Sequence, residues 1–437
     1  MVLIGEEYFE NLEDELKGPH VFIDKLTKCE LEKLQQDIKG TKRPDYCQGP
    51  PLNLGSPGHS KLKADQWRTC IEFDIPVSVA QLWSKETCPP EQKPDVIVRR
   101  DKLFQSIMHL AVAVGWATSY RTSKHHSEKF EENMVAYLRC LLDLYPNIPL
   151  RPNHHAALHI GPLLTQFGPV HSWWMFPFER VIRILQRINT NNKLGEHGKQ
   201  PKYKEITYKN CIGDLEITML RTFCAGANLK ALLQSESCPT ALKAAVPLLE
   251  RQFNQNRRTG TIGEVNNLGN HEIRNVGNER QVLLPREQFQ AVFQTAFKSR
   301  SKALPETSNL FLIVQSHKHI SIAGRIFATK RQLPRNAEVF FQSSEGGSPV
   351  PGVIDSIFST GADSEDIYVL SIHPRKPVLK GVHNPFSRFP DFGTELWSTE
   401  LGSVMHIPAT QPLYHSQSRL WAKGIMVLKP VSDIPDC

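Results

Sequence analysis

The chain has 437 residues, long enough to bury sizeable cores in two domains with linkers between them. It is 40% hydrophobic and 22% charged, ordinary for a globular protein, and its formal net charge of +7 permits a polyanionic partner without requiring one. No apolar run approaches the roughly 18–20 residues of a membrane helix, and the acidic opening MVLIGEEYFENLEDEL lacks the basic and apolar regions of a signal peptide, so the chain reads as intracellular with no membrane partner.

Residues 1–60 read as an appendage. Leu26, Leu31, Leu34 and Ile38 predict one amphipathic helix ended by Gly40, and TKRPDYCQGPPLNLGSPGHS predicts an irregular loop. From 61 to 253 the pattern is helical and predicts an α-bundle. One segment runs from Leu62 to Trp83 and is kinked at Pro76. A second runs from Val98 to Ser119, with Leu103, Ile107, Leu110, Ala111 and Val114 facing inward. Ser127 is the expected N-cap of a third, which Pro146 stops. His154 to Phe167 is expected as one helix closed by Gly168, with further helices over Leu215–Leu233 and Ala241–Phe253. An insertion at 197–214 is polar and without periodicity, and reads either as a surface loop or as the translated remnant of an intron.

The densest stretch is FGPVHSWWMFPFERVIRILQRINTNNK, Phe167–Lys193. Pro177 suits the first turn of a helix. Phe178, Val181, Ile182, Leu185 and Ile188 then share one face, and Arg180, Arg183 and Arg187 share the other. Glu179 falls in the first turn, where the helix dipole favours a carboxylate.

The Asn-, Gly- and Arg-rich segment 254–284 reads as a flexible linker. Over 285–437 a short helix, PREQFQAVFQTAFKSR, precedes six alternating segments: HISIAGRIFATK, AEVFFQ, GVIDSIFS, DIYVLSIH, ELWST and AKGIMVLK. They predict a small antiparallel barrel or sandwich. The fold class expected is thus α+β, a mainly helical bundle followed by a small β-domain. The nine cysteines are scattered, with no C-x-x-C pair, and most read as small buried hydrophobes in a reducing compartment.

GPVHSWWMFPFERVI resembles the signature of the uncharacterised C-terminal domain of CACTA (En/Spm-like) DNA transposases. LKADQWRTCIEFDIPVSVAQLW, RPNHHAALHI and LRTFCAGANLKALL are similar to fungal members of the group, so the resemblance covers about Leu52 to about Leu233. It implies an accessory part of a transposase, nuclear, whose partners are DNA and other transposase subunits or copies of itself. It also implies that the chain starts partway through a longer protein, upstream aspartates belonging to a separate catalytic core. Mg²⁺ would enter only in such a complete transposase, and no cofactor is expected for this chain.

Three constellations bear on chemistry. Glu179 is similar to the third metal-holding acid of integrase-type transposases, here a vestigial catalytic residue, and reads more readily as a structural helix carboxylate. His155 and His159 stand at i,i+4; with His154 and His171 nearby they are weak metal candidates, alternatively core or capping histidines. Arg180, Arg183, Arg187 and Lys193, beside Trp173 and Trp174, suit phosphates and stacked bases. The expected activity is therefore binding without catalysis. The rivals are a metal-dependent nuclease or hydrolase built on Glu179 and the histidines, and a β-domain that grips a peptide or chromatin tail.

Overall fold

The computed structural model describes residues 26–56, 62–83, 94–147, 149–175, 273–275, 279–298, 313–342, 347–362, 365–379 and 381–431, together with isolated residues at 58 and between 221 and 235. Its architecture is α+β, helices first and an antiparallel sheet after them. No helix among the described residues is long and apolar enough to cross a membrane.

Helix α1, Lys28–Gly40, starts at a capping box: Glu30 N donates to Thr27 Oγ1, and Thr27 N donates to Glu30 Oε2 at 2.8 Å. It buries Leu34 and Ile38 on the expected face. The kink expected at Pro76 is a widened turn. Helix α2 (Ala64–Thr69) passes through a π-helical stretch, Cys70–Asp74, into α3 (Ile75–Trp83). Proline has no N–H to give the carbonyl four residues back, that of Glu72, and its ring crowds it. Lys429 Nζ donates to that carbonyl instead, at 2.9 Å.

Helix α4 covers Pro94–Ala117 and buries Leu103, Phe104, Met108, Ala111 and Val112. Helix α5 covers Lys124–Leu144 and starts one turn before the expected cap, because Ser123 takes that place and accepts from His126 N. Ser127 is buried inside the helix and donates to Gly161 O at 2.7 Å. The single helix expected over His154–Phe167 is two, α6 (Pro152–Leu158) and α7 (Ile160–Phe167), broken at His159. Gly161 lies so close to the Glu131 side chain that a Cβ there would overlap it. Gly168 closes α7 with φ +77°, a conformation glycine reaches without strain. Helix α8, Arg286–Lys298, follows Pro285 as expected.

The strands among the described residues are β1 Ile273–Asn275, β2 Glu279–Leu283, β3 Ile313–His317, β4 His319–Ile322, β5 Arg325–Ala328, β6 Glu338–Gln342, β7 Pro349–Ala362, β8 Glu365–Pro377, β9 Glu395–Leu401, β10 Met405–Pro408, β11 Leu413–Ala422 and β12 Ile425–Pro430. Strands β6, β7, β8, β9, β12 and β11 pair antiparallel in that order, and β11 pairs back to β6, so six strands close a small barrel. The long strands β7 and β8 outrun the ring. Beyond it β7 pairs β3, which pairs β2, while β8 pairs β10. A separate sheet, β1-β4-β5, has its hairpin turn at Ala323–Gly324; both residues have positive φ, the geometry that follows the twist of two tight strands.

The strands bury a cluster of their own, with Val339, Phe341, Ile354, Leu370 and Ile372, and a second cluster joins them to the helices. Phe73, Val77, Phe104, Met108 and Val112 of the helices pack in one cluster with Phe386 and Phe392 from short 3₁₀ turns and with Val427 of β12. Residues 1–172 and 266–437 group into one compact unit, and 173–265 into another. The packing of the described residues thus cuts across the division at 254–284 read from the sequence, and β1 and β2 both contain residues of that stretch. Shared burial explains this, since the apolar stripe of α3 and α4 faces the barrel's outer wall. In the second unit Arg221, Cys224, Ala225, Asn228, Ala231 and Leu232 are helical, within the stretch where Leu215–Leu233 was expected. The helix over 241–253, the insertion 197–214 and the helix after Pro177 lie outside the described residues.

Candidate nucleic-acid interface

Several charged side chains buried in the helices and barrel pair with a group of opposite charge. Asp74 is fully buried and takes Arg43 Nη2 at 2.6 Å. Burial pushes its carboxyl up, against the opposing Arg43 and Arg419 charges. Asp37 takes Lys33 Nζ at 2.5 Å and Ser78 Oγ at 3.0 Å, with Arg419 Nη1 at 3.9 Å. Arg419 is 2% exposed, and its guanidinium carbon stands 5.7 Å from the centre of the Phe73 ring. Arg375 Nη2 spans both oxygens of buried Glu338, at 3.0 and 2.8 Å. Arg388 holds Asp101 through two nitrogens, and Arg100 holds Glu30 at 2.9 Å. Each of these carboxylates already faces a cation, so their chemistry is spent on the fold.

Two buried histidines are neutral. His415 on β11 stacks on Phe327 at 4.0 Å, its Nε2–H donates to Ile326 O, and its Nδ1 accepts from Tyr46 Oη at 3.2 Å. Burial, then the Arg325 charge, pushes it down to about 3. His171 lies in the 3₁₀ turn Val170–Ser172, inside the GPVH motif, and stacks on Tyr120 at 4.0 Å. Burial, then the Arg68 charge, pushes it down to about 4. The histidine of the motif is therefore a packing residue: it seals the turn that leads into the tandem tryptophans.

His171 does not join the other histidines in a metal set. His155 and His159 face each other on an exposed surface, Nε2 to Nε2, at 3.2 Å. His154 turns back to accept from Arg151 N. Among the described residues no group of three or more histidines, cysteines, aspartates or glutamates is placed to hold a metal ion.

Trp173 and Trp174 follow the turn and are both half-buried. Glu179, Arg180, Arg183, Arg187 and Lys193 lie outside the described residues. Sequence reasoning passed over a basic turn. Between β5 and β6, the segment KRQLPRN exposes Lys330, Arg331 and Arg335. The signal was there, three cations in six residues, but it stood between two strand patterns and read as a connection. Among the described thiols Cys70 is buried, but Cys29 and Cys224 are exposed and Cys47 and Cys140 half-buried, so the expectation of mostly buried cysteines does not hold there. Burial pushes the Cys47 thiol up to about 12, away from nucleophilic character.

No protein-family model, curated protein or solved structure matches the chain.

Proposed function

We propose that the chain is the accessory, non-catalytic part of a CACTA-type transposase, working in the nucleus as a DNA-binding module that also holds other transposase subunits. The observation that carries this reading is GPVHSWWMFPFER itself. Its first half is a built turn, with Gly168 at positive φ, His171 packed beneath Tyr120, and the two tryptophans delivered directly afterwards. Its second half ends on Arg180, and the residues that follow it add Arg183 and Arg187 at one-face spacing. Guanidinium forks suit phosphate oxygens, and tryptophan rings suit exposed bases. The commitment of Glu30, Asp37, Asp74, Asp101 and Glu338 to cations supports binding over acid–base chemistry in the helix–barrel unit.

The test uses the purified full chain and labelled duplex DNA with magnesium or manganese. The duplex should be bound and remain uncut. Replacing Arg180, Arg183 and Arg187 with glutamine should flatten the salt dependence of binding by up to about three phosphate contacts. Metal-dependent nicking that disappears in Glu179→Gln would replace this reading with an enzymatic one.

A further inference from the structure

We propose a second phosphate-binding surface on the β-rich part of the chain, formed by Lys318, Lys330, Arg331 and Arg335, that takes the backbone of duplex DNA. The proposal rests on the DNA-binding reading above and adds a place in the fold where sequence reasoning put none.

The turn is rigid, and its backbone explains why. Thr329 N donates to Lys318 O at 3.1 Å, which sets the β3–β4 corner beside the start of the turn. Lys330 N donates to Ile354 O at 2.9 Å, pinning the turn to β7. Gln332 N and Leu333 N both donate to Thr329 O, which closes the chain into a single coil. Pro334 then opens a 3₁₀ turn, Pro334–Asn336. Asn336 is fully buried; its Nδ2 donates to Ile326 O at 2.8 Å and to Asp45 Oδ1 at 3.0 Å. The segment is therefore held at its start, middle and end.

On this pinned frame Lys318, Lys330, Arg331 and Arg335 are all exposed. Among the described residues no carboxylate comes within ion-pair distance of any of them. Asp45 accepts from Asn336 Nδ2 at 3.0 Å and Asp355 from Ser356 Oγ at 2.7 Å; both keep their charge but stand outside ion-pair distance of the four cations. The contrast with Lys376 is direct, since that exposed cation sits 3.0 Å from Glu400.

Among the described residues the four cations form no ion pair, so their charge on this frame leaves a local positive field. A preorganised loop gives up little conformational freedom when it binds. Two arginines favour planar, two-point contact with phosphate, and the lysines add point charges beside them. Besides the exposed Gln332, the exposed polar side chains of the turn are all cations, whose simplest contact is phosphate. Binding here should follow the backbone and be indifferent to sequence.

The experiment compares the full chain with a variant carrying Lys330→Gln, Arg331→Gln and Arg335→Gln, by fluorescence anisotropy on a labelled random-sequence duplex over a salt series. The substituted side chains are exposed, so the thermal unfolding midpoint should not change. The variant should bind about tenfold or more weakly at about 100 mM salt, and its slope of log K against log salt should be shallower by up to about three contacts of 0.9 each. A charge-keeping control, Lys330→Arg with the arginines intact, should bind like the parent chain. If the parent binds and the triple variant binds equally with the same slope, this surface is only solvated and the proposal is overturned, while the DNA-binding reading stands. If the parent fails to bind at about 50 mM salt, the DNA-binding reading itself falls, and this surface with it.

Discussion

The side chains that decide most at the residue scale are the histidines held neutral. His415 has both ring nitrogens used, one donating and one accepting, and a proton on Nδ1 would break its bond from Tyr46. Its folded value is about 3 and that of His171 about 4, both below the ordinary 6.5. The unfolded chain therefore binds more protons across that interval, and stability falls as pH falls from about 6.5 towards 4. Each histidine should cost about 2 kcal/mol by pH 5 relative to pH 7. Urea unfolding at pH 7, 6 and 5 measures this, and His415→Gln should remove about one proton from the slope. An unchanged slope in that variant would mean His415 titrates normally in the folded chain. Lys429 carries the same logic in its contacts. It answers the carbonyl that Pro76 leaves without a donor, and its ammonium sits 4.1 Å from the centre of the Phe392 ring, so one side chain repairs a helix defect and ties that helix to the barrel.

At the scale of elements, the segment from α1 to the following loop acts as a strap across β11. Lys42 and Ser418 exchange backbone hydrogen bonds at 2.8 and 3.0 Å, Arg43 pairs with buried Asp74, and Tyr46 meets His415. Arg43→Ala would leave Asp74 buried with one cation fewer and should cost about 3–5 kcal/mol. Asp74→Asn combined with Arg43→Met should recover much of that loss. Chemical denaturation of the single and double variants checks this; a cost under about 1 kcal/mol for Arg43→Ala would show that water reaches Asp74. The strap also shows what the sequence conceals. The helix over 28–40 was legible because its apolar residues recur at helical spacing on one face. Strand β11 was not legible: His415, Ser416, Gln417, Ser418 and Arg419 are five consecutive polar residues, all buried. Alternation fails there because the strap and helices cover one side while the barrel closes over the other. Pro76 announced a defect without saying that it would be a π-turn, and Ser127 looked like a cap because nothing in the sequence shows Gly161 waiting to accept its hydroxyl. Of the candidate site, spacing offered an arginine stripe at 180, 183 and 187, which lies outside the described residues. The basic turn at 330–335 was not legible, because its meaning depends on where β3 and β7 pin it.

At the scale of the molecule, the helices before Ser172 and the barrel share one apolar cluster. They should open together. Native-state hydrogen exchange of the full chain should show the amides of α4 and of β12 protected to the same opening free energy. Values differing by more than about 2 kcal/mol would mean that helices and barrel are separate cooperative units. A single scaffold of this kind suits a protein that presents cations to a long polyanion, because surfaces fixed relative to their own core can engage neighbouring phosphates without rearrangement. The most direct test of the account is the salt dependence of binding by the whole chain to two duplexes of unrelated sequence. Binding to both is expected at about 50 mM salt, with log K falling linearly as log salt rises and with the same slope for each duplex. Absence of binding at that salt, or an affinity that does not change with salt, would contradict it.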